Sequence, residues 1–188
     1  MKALLKFHQS IFGVVLITVL LLMVPLVAMQ FTNEVNWSIS DFIIMGILLF
    51  STGLAYVLLP QYSPGLINRV AFGSAIGSTF LLIWVNLAVG LIGGGPNPAN
   101  LMYIGVVAVV LISTFVGRFT AKGMERSMFV TSFSVVLVGI IQLLTGMQHY
   151  PGASVVEIIG VNSFFVLLFA VSGLLFRYVA LKQTSDNK

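Results

Sequence analysis

Six apolar runs, near residues 9–30, 39–59, 70–93, 101–119, 127–147 and 155–176, decide what this chain can fold into. Each holds about 20 residues, enough to cross a hydrocarbon core of roughly 30 Å at about 1.5 Å per residue. The expected fold is all-α: a polytopic bundle of six transmembrane helices in a single integral membrane domain spanning 1–188. Charged residues make up only 7% of the chain. A soluble fold of this length needs far more, since ordinary domains carry about 25%.

The basic residues then orient the spans. Lys2 and Lys6 precede the first run, and Arg69 lies between the second and third. Arg118, Lys122 and Arg126 lie between the fourth and fifth, and Arg177, Lys182 and Lys188 follow the sixth. Threaded through a bilayer, all nine fall on one side. Random placement would achieve this roughly once in 250 trials, so the positive-inside rule puts both termini in the cytoplasm. The first run follows a basic stretch, as a secretory signal would. Its apolar part, Ile11 to Met29, is too long for one and no A-x-A-like site follows, so it reads as helix 1. Pro25 inside it should give a kink near the outer end.

The same pattern excludes several functions. The net charge of +4 comes from residues beside apolar runs, where they meet anionic headgroups. No basic stripe with interleaved aromatics marks a nucleic-acid surface. With no cysteine, thiolate catalysis and thiolate metal sites are out. His8 and His149 are separated by most of the bilayer, so they cannot share a haem or copper. No catalytic grouping of serine, histidine and acid stands out, and neither cofactor nor metal is expected.

Asp41 and Glu157 are the acids nearest membrane depth, and an intramembrane acid is by default a proton or cation site. Each also stands three residues after a serine at a helix start, in Ser38-Ile39-Ser40-Asp41 and Ser154-Val155-Val156-Glu157. The capping box and the helix dipole account for both without a substrate. The gap Gly93-Gly94-Gly95-Pro96-Asn97-Pro98-Ala99-Asn100 reads first as a tight outer turn, with Asn97 capping a helix that opens on Pro98. Its second reading is a ligand-facing loop presenting Asn97 and Asn100.

A sharper feature is a layer of amides in the outer half of the bundle: Asn86, Gln142 and Asn162, with Trp84 beside the first and Ser163 beside the last. Amides in hydrocarbon need partners, so they face the bundle interior or a wet cavity. As glue they bond across helices; as a site they line an outward-facing polar pocket with Trp84 as a wall. Gly73 and Gly77, interleaved with Ser74 and Ser78, form a small-xxx-small repeat that suits close packing within the chain or a seam for a second copy or another membrane protein. Gly46 and Gly53 are similar but isolated.

The stretch Trp84-Val85-Asn86-Leu87-Ala88-Val89-Gly90-Leu91-Ile92-Gly93, followed by Asn97-Pro98-Ala99-Asn100-Leu101-Met102-Tyr103, resembles a pattern of small multi-pass inner-membrane proteins of bacteria. The likeness continues loosely through Arg118 and Gly123-Met124-Glu125-Arg126, covering the third to fifth helices. That family is uncharacterised, so the resemblance implies a bacterial inner membrane and six helices, and assigns no activity. The leading expectation is a non-enzymatic accessory or structural component. The alternative is a small transporter or channel for a neutral or weakly polar solute using the amide layer.

Overall fold

The computed structural model describes residues 2–59, 65–93, 95 and 97–186, with side chains from Gln9 onward. Gly94, Pro96, Lys188 and the side chains of Lys2, Lys6 and His8 lie outside the described residues. The chain forms α1 (Lys2–Phe31), α2 (Ile39–Leu58), α3 (Leu66–Ala88), α4 (Leu101–Val116), α5 (Ala121–Leu144) and α6 (Val155–Asp186). No strand occurs among the described residues, and all six helices are long and apolar enough to cross a membrane. This is an all-α multi-pass membrane protein.

Helix ends follow capping chemistry rather than hydropathy, which shifts several boundaries. Thr120 starts α5 at Ala121, six residues before the apolar run, because its Oγ1 accepts the Gly123 N–H at 3.1 Å. Lys122, Glu125 and Arg126 are good helix formers and occupy the first turns. Arg177, Lys182 and Gln183 likewise let α6 run to Asp186, and its 32 residues reach about 48 Å, well past the hydrocarbon core. At the other ends, α3 stops at Ala88, before Gly90 at φ +70°, and α5 stops at Leu144, before Gly146 at φ +74°.

Contacts divide the chain into two compact units, Met1–Gln61 and Tyr62–Lys188. In the first, α1 and α2 lie side by side. A Cβ on Gly53 would sit 2.7 Å from Val14 Cγ1, and one on Gly46 would sit 3.4 Å from Leu22 Cδ1. The pairs run in opposite chain order, so the helices are antiparallel. The two glycines are seven residues apart and share one face, which lets the backbones approach. Helix α1 runs on through Pro25 to Phe31. Ser38 opens α2 with a full capping box: its N–H donates to Asp41 Oδ2 at 2.7 Å, and its Oγ accepts the Asp41 N–H at 3.3 Å.

In the second unit, α3, α4, α5 and α6 form a closed up-and-down bundle in which each helix packs on the next and α6 returns to α3. Phe72 meets Phe176 edge-on at 5.0 Å while Ser74 bonds Ser172 at 2.7 Å, which sets α3 antiparallel to α6. Ser74 and Ser78 therefore face inward, whereas Gly77 is exposed with open space around it. The interior is filled by Phe72, Leu82, Met128, Phe165, Phe169 and Phe176, all buried. Large apolar side chains such as Ile112, Phe115, Phe133 and Leu167 are more than half exposed, while Thr131, Gln142 and Ser172 are wholly buried. Lipid is as apolar as the core, so polarity rather than apolarity marks the inward faces.

The alternation gathers Arg69, Arg118, Lys122, Arg126, Arg177 and Lys182 at one end of this bundle. There the α4–α5 connection is residues 117–120, a little shorter than the gap of 120–126 left by the apolar runs. Arg118 and Phe119 take left-handed φ values of 52° and 56°, unusual for side chains of that size. The turn closes so tightly that a Cβ on Gly117 would lie 2.8 Å from the Gly123 carbonyl carbon. Glu125 faces Arg177 at 4.0 Å across the exposed surface, an ion pair of little energetic weight.

Candidate functional site

At the basic-poor end of the second unit, three polar side chains from three helices close on each other. Tyr103 Oη on α4 donates to Asn162 Oδ1 on α6 at 3.1 Å. Asn162 Nδ2 donates to Gln142 Oε1 on α5 at 3.4 Å, and Gln142 Nε2 donates back to Tyr103 Oη at 3.0 Å. Every donation runs the same way round, so the bonds polarise one another. Asn162 spends its other N–H on the Ile158 carbonyl at 2.8 Å. All three side chains are buried.

Helix geometry explains why Gln142 reaches both neighbours. At about 100° per residue, Ser132 lies about 140° around α5 from Ser127, and Gln142 about 60°, between them. Ser127 meets Ser113 and Thr114 of α4 at 2.6 and 2.9 Å, and Ser132 donates to the Val166 carbonyl of α6 at 3.1 Å. Gln142 therefore faces the seam between α4 and α6. Gly139, one turn earlier, makes room for the ring: a Cβ there would sit 3.1 Å from Asn162 Cγ. The ring joins one phenol to two neutral amides and contains no carboxylate, imidazole or amine.

Asn86 does not join this ring. Because α3 ends at Ala88, Asn86 lies in its last turn, about 3 Å from the helix end rather than deep in the span. Gln142 is equally close to the end of α5. Asn86 Nδ2 donates to the Asn100 carbonyl across a long 3.4 Å, and its buried Oδ1 has no partner. Asn86 instead lines a cleft of about 620 Å³ with residues 87–90, Gly95, Asn97, Pro98, Asn100, Leu101 and Ile104.

The glycine-rich connection is held shut by Asn100. Its Oδ1 accepts the Ile92 N–H at 2.8 Å, and its Nδ2 donates to the Gly95 carbonyl at 3.1 Å. Gly90 makes this clasp sterically feasible, since a Cβ there would lie 2.8 Å from Asn100 Nδ2. Asn97 Oδ1 accepts the Ala99 N–H at 3.0 Å and caps a single 3₁₀ turn, Pro98–Asn100, that leads into α4. Asn97 and Asn100 thus build the connection as well as line the cleft.

The remaining candidates separate from both features. Trp84 is 40% exposed, stacks on Phe80 at 6.2 Å and is no wall of the cleft. It points away because Asn86 is two residues on, about 200° around the helix. Ser163 is exposed beside the buried Asn162. Glu157 forms only half of the expected box. Its N–H reaches Ser154 Oγ at 3.1 Å, and its exposed carboxylate makes no bond among the described residues.

Tyr103 and Gly139 are the members that reading the sequence did not single out. The available signal was chemical: a phenol two residues into a span needs a partner, and Gly139 precedes Gln142 by one turn. The chain matches no family model, no curated protein and no solved structure.

Proposed function

We infer that this protein is a non-enzymatic accessory or structural component of a bacterial inner membrane, its second unit a packed scaffold rather than a solute path. One observation carries the reading: Gln142 and Asn162 are satisfied by each other and by Tyr103 instead of lining a water-filled passage. The rings of Phe72, Phe165, Phe169 and Phe176 occupy the bundle interior. The positive-inside rule supports placing the basic end in the cytoplasm, with both termini on that side. The competing reading, a small transporter for a neutral solute, requires the amide ring to part during each cycle.

Reconstitution tests this directly. Proteoliposomes loaded with small neutral solutes such as glycerol or urea should leak no faster than empty vesicles, and Gln142→Leu should lower the melting temperature without changing leakage. Flux above the empty-vesicle rate that Gln142→Leu alters at unchanged melting temperature would sink the scaffold reading.

A further inference from the structure

We propose that the cleft beside Asn86 binds a protonated primary amine, as carried by an aminoethyl phospholipid headgroup. The cleft lies where α3 ends and α4 begins, at the boundary of two spans, which is headgroup level. Among its polar groups are acceptors with nothing to accept. Asn86 Oδ1 is buried without a partner, and the carbonyls of Asn86, Leu87 and Ala88, the last of α3, take no hydrogen bond among the described residues. A helix C-terminus carries roughly half a negative charge, so this end of α3 attracts a cation.

Two of the three side-chain amides in the cleft already donate elsewhere. Asn100 Nδ2 is bound to the Gly95 carbonyl, and Asn86 Nδ2 to the Asn100 carbonyl. No basic side chain lines the cleft. An ammonium group supplies what is missing, three donors and a positive charge. The Asn86 amide turns about a broad terminal torsion and gives up only a 3.4 Å contact in aiming Oδ1 outward. Beside these acceptors stand Leu101 and Ile104, both more than half exposed along α4, where an acyl chain lies against them. A quaternary choline headgroup has the charge but no N–H, so the same cleft discriminates against it.

The test places the full chain in nanodiscs of equal phosphatidylethanolamine and phosphatidylcholine and counts retained lipids by native mass spectrometry. The ethanolamine lipid should be enriched at least about tenfold, the worth of one charge-assisted hydrogen bond. Ala88→Phe fills the cleft from an exposed position and should return the ratio to near one; Asn86→Asp keeps the acceptor, adds charge and should raise it. Excess free ethanolamine separates two sources of the same amine. Displacement means the amine alone is read, and persistence means the acyl chain also binds. Equal retention of the two lipids, enrichment that survives Ala88→Phe, or a ratio that Asn86→Asp leaves unchanged overturns the proposal.

Discussion

Removing the Tyr103 hydroxyl should cost more than removing the Gln142 amide, although glutamine is the larger polar group. Gln142→Leu deletes the 3.0 Å bond to Tyr103 and the long 3.4 Å bond from Asn162. Its partners keep other bonds: Asn162 Nδ2 still reaches the Ile158 carbonyl at 2.8 Å, and Tyr103 still donates to Asn162 at 3.1 Å. The loss should be about 1 kcal/mol, near the low end for a broken buried bond. Tyr103→Phe strips both bonds of the hydroxyl and leaves Gln142 Nε2 without its acceptor and Asn162 Oδ1 without its donor in an apolar interior. That should cost about 2–3 kcal/mol. At about 2–4 °C per kcal/mol for a chain of this size, detergent melting curves resolve the two. The double mutant should be milder than the sum by at least about 0.5 kcal/mol, because the substitutions share a bond. A reversed order, or a strictly additive cycle, refutes the closed ring.

Other outcomes follow from steric and capping geometry. Gly139→Ala should destabilise by about 1–3 kcal/mol by pushing its methyl into Asn162, and Gly53→Ala by a similar amount against Val14, both read by thermal melts. Gly77→Ala meets open space and should be neutral or stabilising by up to about 1 kcal/mol; if it changes the oligomeric state in size-exclusion light scattering, the Gly73/Gly77 face is a seam. Asp41→Asn should cost about 1 kcal/mol or less, since an amide oxygen can still accept the Ser38 N–H. A reporter fused after residue 186 should report cytoplasm and one inserted near His149 the opposite side; the reverse result would invert the orientation.

The six helices were legible because a run of about 20 apolar residues has few alternatives. The Ser38–Asp41 cap was legible for a similar reason, as both partners are local. Boundaries at α5 and α6 were not, because Lys122, Arg126 and Arg177 are polar yet helix-forming and Thr120 caps α5 ahead of its apolar run, so hydropathy alone starts α5 too late and ends α6 too soon. The amide layer was only half legible. Sequence depth grouped Asn86 with Gln142 and Asn162, but the partner that closes the ring is Tyr103, and membership depends on rotation about each helix axis. The seam of α1 and α2 needed Gly46 and Gly53 read together at seven-residue spacing, where each seemed isolated.

The polar contacts of α5 also bear on how four apolar rods find one arrangement. In lipid, turning a greasy helix about its axis exchanges one apolar face for another at little cost, so packing alone leaves azimuth weakly determined. Ser127, Ser132 and Gln142 point in three directions and answer to different partners on α4 and α6. A rotation by one residue, about 100°, breaks all three together. Moving Ser132 to position 133 should therefore do more than subtract a bond: it should admit a second population of rotated helices, visible as doubled amide resonances.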